Sequence, residues 1–509
     1  MCGFFASNSS SIDDSLNSTV EKHLRFRGPD GSSGLISSNG WFSYHSRLSI
    51  IDLTDGTNQP VINSDGSQLV FNGEILNYKE LGHKYFNKDY ISDTFLLNDL
   101  IVSGELDLAE LDGFFAFVFI NETGELKYAC RDKFGVKPLY YYKNKNEISF
   151  SSEPNLLIDL FSDGVNDDAV EEYKVFRAPI FQGSFYRDID QVDPGCCFVN
   201  GEYFSVEKEL IASKKNKRLP THSDLQNALH VGVASRCVSD APIGLLLSKG
   251  VDSNLIRHTG TFDRLYTVGF DGDEDVEYLK SQKIENLKIR RVNSDEFKEA
   301  FDYLLMLRKE PMSVPNEVLL YLIAKDAKKD GIKVLLSGEG ADEFFGGYDR
   351  VFSWALQVET FNFEEFLEIY AYKKLSRDSF LFSYLSDLFD KCLIKDPFEI
   401  VRWFFIRYHM PILFRRLDFA LMAAGVEGRE PIANYHLFNV CKDIVGSDLM
   451  FNSLGKKPLR ELLSKHMGRD FSFEKKVGFP VDLSKIFDNP DKLSSYELWF
   501  SKNLEVLRC

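Results

Sequence analysis

Residues 331–348 read GIKVLLSGEGADEFFGGY, and this stretch decides the fold of the second half of the 509-residue chain. Its apolar run, 333–336, stops at Ser-Gly and an acidic segment follows, a pattern typical of a buried strand that leads into a helix. Two similar runs, 243–247 and 265–270, alternate with helix-like segments. This alternation predicts parallel strands with helical crossovers, followed by a mainly helical carboxyl-terminal part.

The run 243–247 leads directly into Ser-Lys-Gly-Val-Asp-Ser at 248–253. A strand that ends in a Ser/Gly loop and opens a helix offers backbone N–H groups and the helix dipole to phosphate oxygens. The GxxxxGK[ST] spacing of a Walker loop is absent. The loop alone therefore predicts either a phosphate site or an ordinary strand-to-helix turn. Likewise, Asp342 and Glu343 either bind a ligand or complement a helix dipole.

The first part of the chain has a different rhythm, with short strand-like runs separated by Gly, Asn and Asp. The runs 114–120 and 125–131 flank Asn-Glu-Thr-Gly, which is a hairpin signal. Helices are expected to be few here, for instance near 93–102. The predicted division of the chain is a first domain at 1–205, a charged linker at 206–220 and a second domain at 221–509.

Cys2 is a candidate nucleophile. A small second residue normally permits removal of Met1, and the cysteine would then carry both a thiol and a free α-amine. Their ordinary pKa values, about 8.5 for the thiol and about 7.7 to 8.0 for the amine, place a base beside a nucleophile near neutral pH. Its position alone fits an ordinary small cysteine as well.

Further segments follow Met-Cys-Gly in a fixed order: RGPD at 27–30, RLSI at 47–50, NGE at 72–74, SD at 92–93, RDKFGVKPLY at 131–140 and FSSE at 150–153. This ordered set resembles the class II glutamine amidotransferase domain over essentially all of residues 1–200. The resemblance implies an α+β fold, an αββα sandwich of antiparallel sheets, with Cys2 as the nucleophile. Arg27 and Asp30 are expected to shape the loop near the thiol. The implied glutamine-binding residues are Arg47, Ile50, Asn72, Gly73, Glu74 and Asp93.

These implied roles suit the chemistry of glutamine hydrolysis. Arg47 can pair bidentately with the carboxylate of the substrate, whereas Glu74 and Asp93 can receive its ammonium. The side-chain amide of Asn72 and the backbone N–H of Gly73 can stabilise the tetrahedral oxyanion. Taken singly, each charged residue here also fits a surface ion pair.

The stretch 331–348 is similar to the asparagine synthetase pattern KVxLSGxGxDExFGGY. The loop 248–253 resembles the pyrophosphate loop SGGxDS of enzymes that cleave ATP to AMP and pyrophosphate. GVEGR at 425–429 and KKVGF at 475–479 fit the same family in the same order. The resemblance implies an α/β domain with a parallel sheet of the pyrophosphate-loop ATPase type. There a carboxylate attacks the α-phosphorus of ATP, and ammonia then displaces AMP from the acyl-adenylate.

The same resemblance implies the residues of the synthetase site. Asp252 and Asp342 would hold Mg²⁺, which bridges phosphate oxygens. Glu339 is the candidate base for the incoming ammonia, and Lys475 would neutralise charge at the α-phosphate. The implied ATP-binding residues are Leu247, Ser248, Gly250, Asp252, Ser253, Val268, Ser337 and Gly338.

Two segments depart from the family pattern. Lys249 replaces the first Gly of SGGxDS, where a side chain would either obstruct the loop or add a cation for pyrophosphate. Residues 430–434, EPIAN, replace VPFLD near the expected substrate pocket. The leading hypothesis is amidation of aspartate to asparagine. The alternatives are another carboxylate, such as a sugar acid or a secondary-metabolite precursor, and a glutaminase or regulatory protein with an impaired synthetase site. Cys2 argues against a β-lactam-forming relative.

Composition limits the partners. The formal net charge of -17 argues against nucleic acid. No apolar stretch approaches the roughly 18 residues of a membrane span, and the start does not read as a secretory signal. The 8 cysteines show no metal or disulfide spacing. We therefore expect a cytoplasmic enzyme that uses glutamine, ATP and a carboxylate, and the resemblance suggests a homodimer. The paired chemistries predict an apolar passage for ammonia between the domains.

Overall fold

The computed structural model describes residues 2–53, 58–213, 220–475 and 481–508. The strands are β1 Cys2–Ser7, β2 Gly31–Ser32, β3 Ile36–Ser38, β4 Trp41–Arg47, β5 Val61–Ile62, β6 Gln68–Ile75, β7 Gly113–Ile120, β8 Leu126–Arg131, β9 Tyr140–Asn144, β10 Glu147–Ser151, β11 Ile189–Gln191, β12 Cys196–Cys197, β13 Gly201–Glu202, β14 Ile243–Leu246, β15 Arg264–Gly269, β16 Leu287–Arg291, β17 Val334–Leu336 and β18 Glu427–Arg429.

The helices are α1 Asn17–Leu24, α2 Tyr78–Phe86, α3 Asp93–Ser103, α4 Pro154–Phe161, α5 Asp167–Phe176, α6 Val206–Ser213, α7 His222–Arg236, α8 Val251–Thr259, α9 Glu274–Ser281, α10 Ser294–Arg308, α11 Asn316–Lys329, α12 Ala341–Phe345, α13 Asp349–Ala355, α14 Phe363–Tyr370, α15 Phe380–Lys391, α16 Pro397–Phe404, α17 Met410–Met422, α18 Tyr435–Cys441, α19 Gly446–Leu449, α20 Lys457–Met467, α21 Arg469–Ser472 and α22 Ser495–Leu504. A π-helical turn, Phe405–His409, joins α16 to α17.

The strands β1 to β13 form two antiparallel sheets. One has the order β11-β9-β10-β1-β4-β2, with β3 also paired to β4, and the other has the order β13-β12-β8-β7-β6-β5. Apolar side chains such as Phe4 and Val70 pack between the sheets. Helices α1 and α4 cover the first sheet and α2 and α3 the second. The expected αββα sandwich is confirmed, and the predicted hairpin is present as β7 and β8.

The second domain is built on a parallel sheet of order β16-β15-β14-β17-β18. Strands β14 and β17 lie side by side in its centre, and Val334–Leu336 of β17 is wholly buried. The loops that follow these two strands therefore meet at one edge, where ligands bind in open α/β sheets. The predicted parallel sheet with a helical carboxyl-terminal part is confirmed.

The two domains share a core. The ring of Phe134 in the first domain lies 5.4 Å from that of Phe344 and 5.5 Å from that of Phe438 in the second. A buried ionic cluster crosses the same boundary. Arg27 Nη1 lies 2.5 Å from Glu153 Oε1 and 2.7 Å from Asp418 Oδ2. These charges are paired away from water and connect the two domains.

The segment 206–220, expected to be a linker, begins with helix α6. Val206 and Leu210, one helical turn apart, lie on the same face and are buried in the shared core. This part is therefore packed structure, whereas 214–219, with its lysine-rich run, lies outside the described residues. The domain division itself stays a prediction. Over the described ranges, no helix combines the length and apolarity needed to cross a bilayer.

Candidate active sites

The first site is a small pocket of about 40 Å³ where β1, β4 and β6 meet. Cys2 lies opposite Arg47 in the β1–β4 register, and Asn72 follows on β6. The predicted residues that line this pocket are Cys2, Arg47, Ile50, Gly73, Glu74 and Asp93. Burial raises the pKa of the Cys2 thiol, and the Leu48 backbone and Arg47 oppose this rise. The structure thus brings together the predicted nucleophile and the predicted glutamine-binding residues.

The geometry around Asn72 matches an oxyanion site. The backbone N–H of Cys2 donates to Asn72 Oδ1 at 3.0 Å, which turns the amide nitrogen the other way. Within the described chain that buried nitrogen has no hydrogen-bond partner. Gly73 has φ +133°, and a Cβ there would lie 2.1 Å from the carbonyl oxygen of Phe114. Only glycine fits this close approach, so the backbone beside Asn72 depends on it.

Two buried carboxylates also line the pocket. Asp93, at the start of α3, accepts from the backbone N–H of Ile75 at 3.0 Å and of Thr94 at 2.8 Å. Burial raises its pKa to about 6, although these hydrogen bonds act to lower it. Glu74 Oε1 accepts from Arg429 at 2.6 Å, while its Oε2 has no partner among the described residues. An ammonium group would satisfy that oxygen.

Arg27 contacts the thiol residue itself, whereas Asp30 lies at the end of β4. Arg27 Nε donates to the carbonyl oxygen of Cys2 at 3.1 Å. Asp30 accepts from the backbone N–H of Ser49 at 2.9 Å and from Lys333 Nζ at 2.7 Å. Both residues therefore also connect the first domain to the second, which their motif did not indicate.

The second site is a cavity of about 400 Å³ at the carboxyl ends of β14, β15 and β17. Seven of the eight predicted ATP-binding residues line it: Leu247, Ser248, Asp252, Ser253, Val268, Ser337 and Gly338. Gly250, the eighth, lines an adjoining cavity of about 260 Å³, together with Lys475. The remainder of the KKVGF segment, 476–479, lies outside the described residues.

The loop between β14 and α8 is held by its own side chains. Ser253 Oγ accepts from the backbone N–H of Ser248 at 3.1 Å, and Ser248 Oγ accepts from that of Gly250 at 3.1 Å. Lys249 does not have a positive φ. Its ammonium group donates to Glu474 at 2.7 Å, on the rim of the adjoining cavity. The replacement of glycine therefore fits the loop without backbone strain.

Asp252 and Asp342 converge on a lysine that sequence reasoning missed. Lys456 Nζ lies 2.7 Å from Asp252 Oδ2 and 2.8 Å from Asp342 Oδ1. Burial acts to lower the pKa of Lys456, but the two carboxylates raise it well above its ordinary value. The only sequence signal for Lys456 was its place in a short Gly-Lys-Lys-Pro segment, to which no role was assigned.

Glu339, the candidate base, also lines the large cavity. Its Oε1 accepts from Arg416 Nη2 at 2.8 Å, and Arg416 lies on α17. The next glutamate along the chain, Glu343, faces away into the core, where Tyr348 donates to it at 2.5 Å. Glu339 thus remains at the pocket, whereas Glu343 is part of the helix packing.

Arg429 connects the two sites, and this role was also missed. Its side chain donates to Glu74 in the glutamine pocket and to Glu427 at 2.5 Å. Its carbonyl oxygen accepts from the backbone N–H of Ser337, a residue of the nucleotide cavity, at 2.9 Å. The GVEGR motif indicated a family segment, but only the packing of the domains shows that Arg429 contacts both Glu74 and Ser337.

Comparison with known proteins agrees with this geometry. Residues 1–209 match the glutamine amidotransferase domain, and residues 224–503 match asparagine synthase. Among similar proteins, asparagine synthetase [glutamine-hydrolyzing] 1 of Bacillus subtilis is 29% identical over 66% of this chain and 56% of its own length. A putative asparagine synthetase of Methanocaldococcus jannaschii is 32% identical over 60% and 58%, respectively. The asparagine synthetase of Asparagus officinalis is 31% identical over 68% and 60%.

The chain thus spans between 56% and 60% of the length of these three relatives. A solved structure of glutamine phosphoribosylpyrophosphate amidotransferase from B. subtilis is 15% identical over 61% of this chain and 82% of its own, with a TM-score of 0.29. That score is too low to carry an inference. The domain matches together cover most of the sequence, and one of them alone covers more than half. The chain therefore belongs to the asparagine synthase family and carries a glutamine amidotransferase domain.

Proposed function

We propose that this chain is a glutamine-dependent asparagine synthetase. Glutamine is hydrolysed at Cys2 to glutamate and ammonia. ATP activates the side-chain carboxylate of aspartate as β-aspartyl-AMP with release of pyrophosphate, and ammonia converts this intermediate to asparagine with release of AMP. The observation that carries the proposal is the position of Arg429. One residue is hydrogen-bonded both to Glu74 in the glutamine pocket and to Ser337 in the nucleotide cavity.

In the first half-reaction, the Cys2 sulfur attacks the amide carbon of glutamine. Asn72 Nδ2 and the Gly73 N–H receive the oxyanion, and removal of one such donor typically lowers kcat by about 10²–10³-fold. Arg47 pairs with the α-carboxylate, and Glu74 and Asp93 pair with the α-ammonium. The α-amine of Cys2, free after loss of Met1, accepts the thiol proton and returns a proton to the leaving ammonia. Water then hydrolyses the resulting thioester, which releases glutamate and regenerates the Cys2 thiol.

In the second half-reaction, Ser248, Gly250 and Ser253 bind the pyrophosphate part of ATP, and Lys475 neutralises charge at the α-phosphate. Leu247, Val268, Ser337 and Gly338 line the nucleotide pocket. Glu339 takes a proton from the attacking ammonia. Its pairing with Arg416 keeps the carboxylate oriented toward the cavity.

Asp252 and Asp342 fit a Mg²⁺ ion. Two carboxylates that already converge on one cation, Lys456 Nζ, form the hard-oxygen pair that Mg²⁺ prefers. No cluster of three or more metal-ligating side chains occurs in the part of the chain that the structure describes, so phosphate and water oxygens would complete the coordination. When bound, Mg²⁺ would neutralise charge on the phosphates.

The test is incubation with ATP, Mg²⁺, glutamine and a panel of carboxylates, followed by mass spectrometry of AMP and amides. Aspartate is expected to give asparagine and AMP in equal amounts. The Cys2→Ala variant should lose glutamine-dependent synthesis yet retain synthesis from ammonium chloride. Formation of glutamate without AMP, or amidation of a different acid from the panel, would contradict the proposal. Homodimer formation and a cytoplasmic location are further proposals, to be tested by light scattering and cell fractionation.

A further inference from the structure

Glu430 is a buried acid that neither half-reaction uses. It follows β18 directly and is 2% exposed. Neither carboxylate oxygen has a hydrogen-bond partner among the described residues. A buried carboxyl group without partners is costly, because desolvation is not compensated by hydrogen bonds. Such a group in a well-packed region calls for an explanation.

The position of Glu430 relates it to both sites. The preceding residue, Arg429, is bonded to Glu74 and to Ser337. The segment that follows lies against the nucleotide loop, because Ala433 Cβ would lie 2.8 Å from a Cβ added at Gly340. Glu430 is therefore held between the glutamine pocket and the loop that carries Glu339.

Charged groups from both domains face Glu430. Burial raises its pKa to about 8; Lys137 acts to lower it, and Asp418, Glu339 and Asp132 act to raise it. Lys137 donates hydrogen bonds to other groups: its Nζ lies 3.3 Å from Asp418 Oδ1 and 3.3 Å from the carbonyl oxygen of Gly428. At neutral pH the carboxyl group is therefore mainly protonated, with one O–H donor and two acceptor oxygens available.

We infer that Glu430 holds ammonia on its way from the glutamine pocket to the synthetase site. The carboxyl O–H donates to the nitrogen lone pair, and its carbonyl oxygen accepts an N–H. Ammonia offers one acceptor and three donors, which complements a neutral carboxyl group with no other partner. This inference rests on the proposed function, because it requires that ammonia pass between the two sites.

The first test measures coupling, defined as the ratio of glutamate to asparagine formed with glutamine as the nitrogen source. Glu430→Val removes both hydrogen-bonding functions, and the ratio should rise about 30-fold, the factor expected for two lost hydrogen bonds. Glu430→Gln keeps a donor and an acceptor and should remain coupled. A wild-type ratio in Glu430→Val, or equal uncoupling in both variants, would overturn the inference.

Glu172→Gln is the matched control. Glu172 is also buried and its pKa is also raised to about 8 by burial, but it accepts from the backbone N–H groups of Ile180 and Phe181 at 2.7 and 2.9 Å. This variant should stay coupled. Thermal unfolding of all three variants checks that each is folded. If Glu430→Val does not fold, the comparison of wild-type protein with Glu430→Gln across pH, described next, still tests the inference.

The second test uses pH. Wild-type coupling should weaken as the pH rises through about 8, because the carboxyl group then loses its O–H donor. Coupling in Glu430→Gln should not change over that range. A wild-type ratio that is independent of pH would argue against the inference. If wild-type protein makes no asparagine at all, the proposed function fails; if it is coupled and Glu430→Val is too, only this inference fails.

Discussion

At the scale of single residues, the glutamine pocket depends on positions that tolerate little change. Gly73 combines a positive φ with a contact of 2.1 Å between an added Cβ and a carbonyl oxygen. The neighbouring Asn72 is fully buried and keeps its amide nitrogen without a partner. Such positions are rigid because the surrounding strands, β6 and β7, are paired along their whole length.

Gly73→Ala should displace the backbone N–H that we propose as an oxyanion donor. We expect glutaminase kcat to fall by about 10²–10³-fold, as for the loss of one oxyanion donor, while synthesis from ammonium chloride is kept. Gly104→Ala is the control, because Gly104 also has a positive φ (+79°) but no atom lies within 4 Å of an added Cβ. Equal loss in both variants would show that backbone strain, and not the oxyanion contact, causes the effect.

Asp93 gives a pH-dependent prediction. In the proposed reaction its carboxylate binds the substrate ammonium, which it can do only when ionised, and burial raises its pKa to about 6. As the pH falls through about 6, Asp93 becomes neutral and KM for glutamine should rise. The step is measured from glutamate formation and should disappear in Asp93→Asn. An unchanged KM between pH 7 and pH 5 in wild-type protein would contradict the role of Asp93.

At the scale of elements, the nucleotide site is formed by loops that follow neighbouring parallel strands. The loop after β14 leads to Asp252 in the first turn of α8, and the loop after β17 leads to Asp342 in the first turn of α12. The start of α20 then brings Lys456 between them. In the loop after β14, the side chain of Lys249 points toward Glu474 and forms an exposed ion pair with it. Such a pair typically contributes no more than about 1 kcal/mol to stability. The lysine that replaces glycine at position 249 therefore changes the charge at the rim of the cavity and leaves the shape of the loop unchanged.

Lys456→Met should leave two neighbouring carboxylates without their cation. Lys456 is buried, but the side chain of Asp342 is 39% exposed and is partly stabilised by water. The free energy of unfolding in chelator should therefore fall by about 1–3 kcal/mol, less than for a fully buried pair. Added Mg²⁺ should recover part of the loss, because it binds the folded state.

Differential scanning calorimetry with and without Mg²⁺ measures both effects. Lys457→Met, at the adjacent position, is the control and should change stability little. If Mg²⁺ stabilises Lys456→Met no more than it stabilises wild-type protein, Asp252 and Asp342 are not a metal site.

At the scale of the whole molecule, the domain boundary is both apolar and ionic. Asp418 on α17 pairs with Arg27 and Lys137 of the first domain, and Arg415 pairs with Glu153 at 2.7 Å. All five of these side chains are buried. Each of these buried charges is neutralised by partners in the other domain. The two domains are therefore expected to unfold together.

Asp418→Asn tests this cluster. It leaves Arg27 and Lys137 undercompensated, and the free energy of unfolding in urea should fall by about 3–5 kcal/mol. Asp387→Asn, which breaks an exposed pair with Lys391, should cost no more than about 0.5 kcal/mol. A loss in Asp418→Asn as small as in the control would mean that the ionic cluster does not hold the domains together.

The local patterns of the sequence determined the fold class of both domains and most residues of the two pockets. Alternation of apolar runs predicted both sheet types, and the ordered motifs predicted which residues meet at each pocket. These features can be predicted from the sequence because strand periodicity and the glycines and serines of loops determine local structure within a few residues. The linker prediction at 206–220 was less accurate, because two apolar residues in a charged stretch sufficed to pack α6 onto the shared core.

Only the tertiary structure decided the contacts between distant segments. Arg429 and Glu74 are separated by 355 positions, and Lys456 and Asp252 by 204. No local pattern encodes such pairs, because they depend on how two separately patterned domains pack and which charges that packing removes from water. The isolation of Glu430 is of the same kind: the sequence showed an unexpected acid, and its buried position between two sites arises from the packing of the domains.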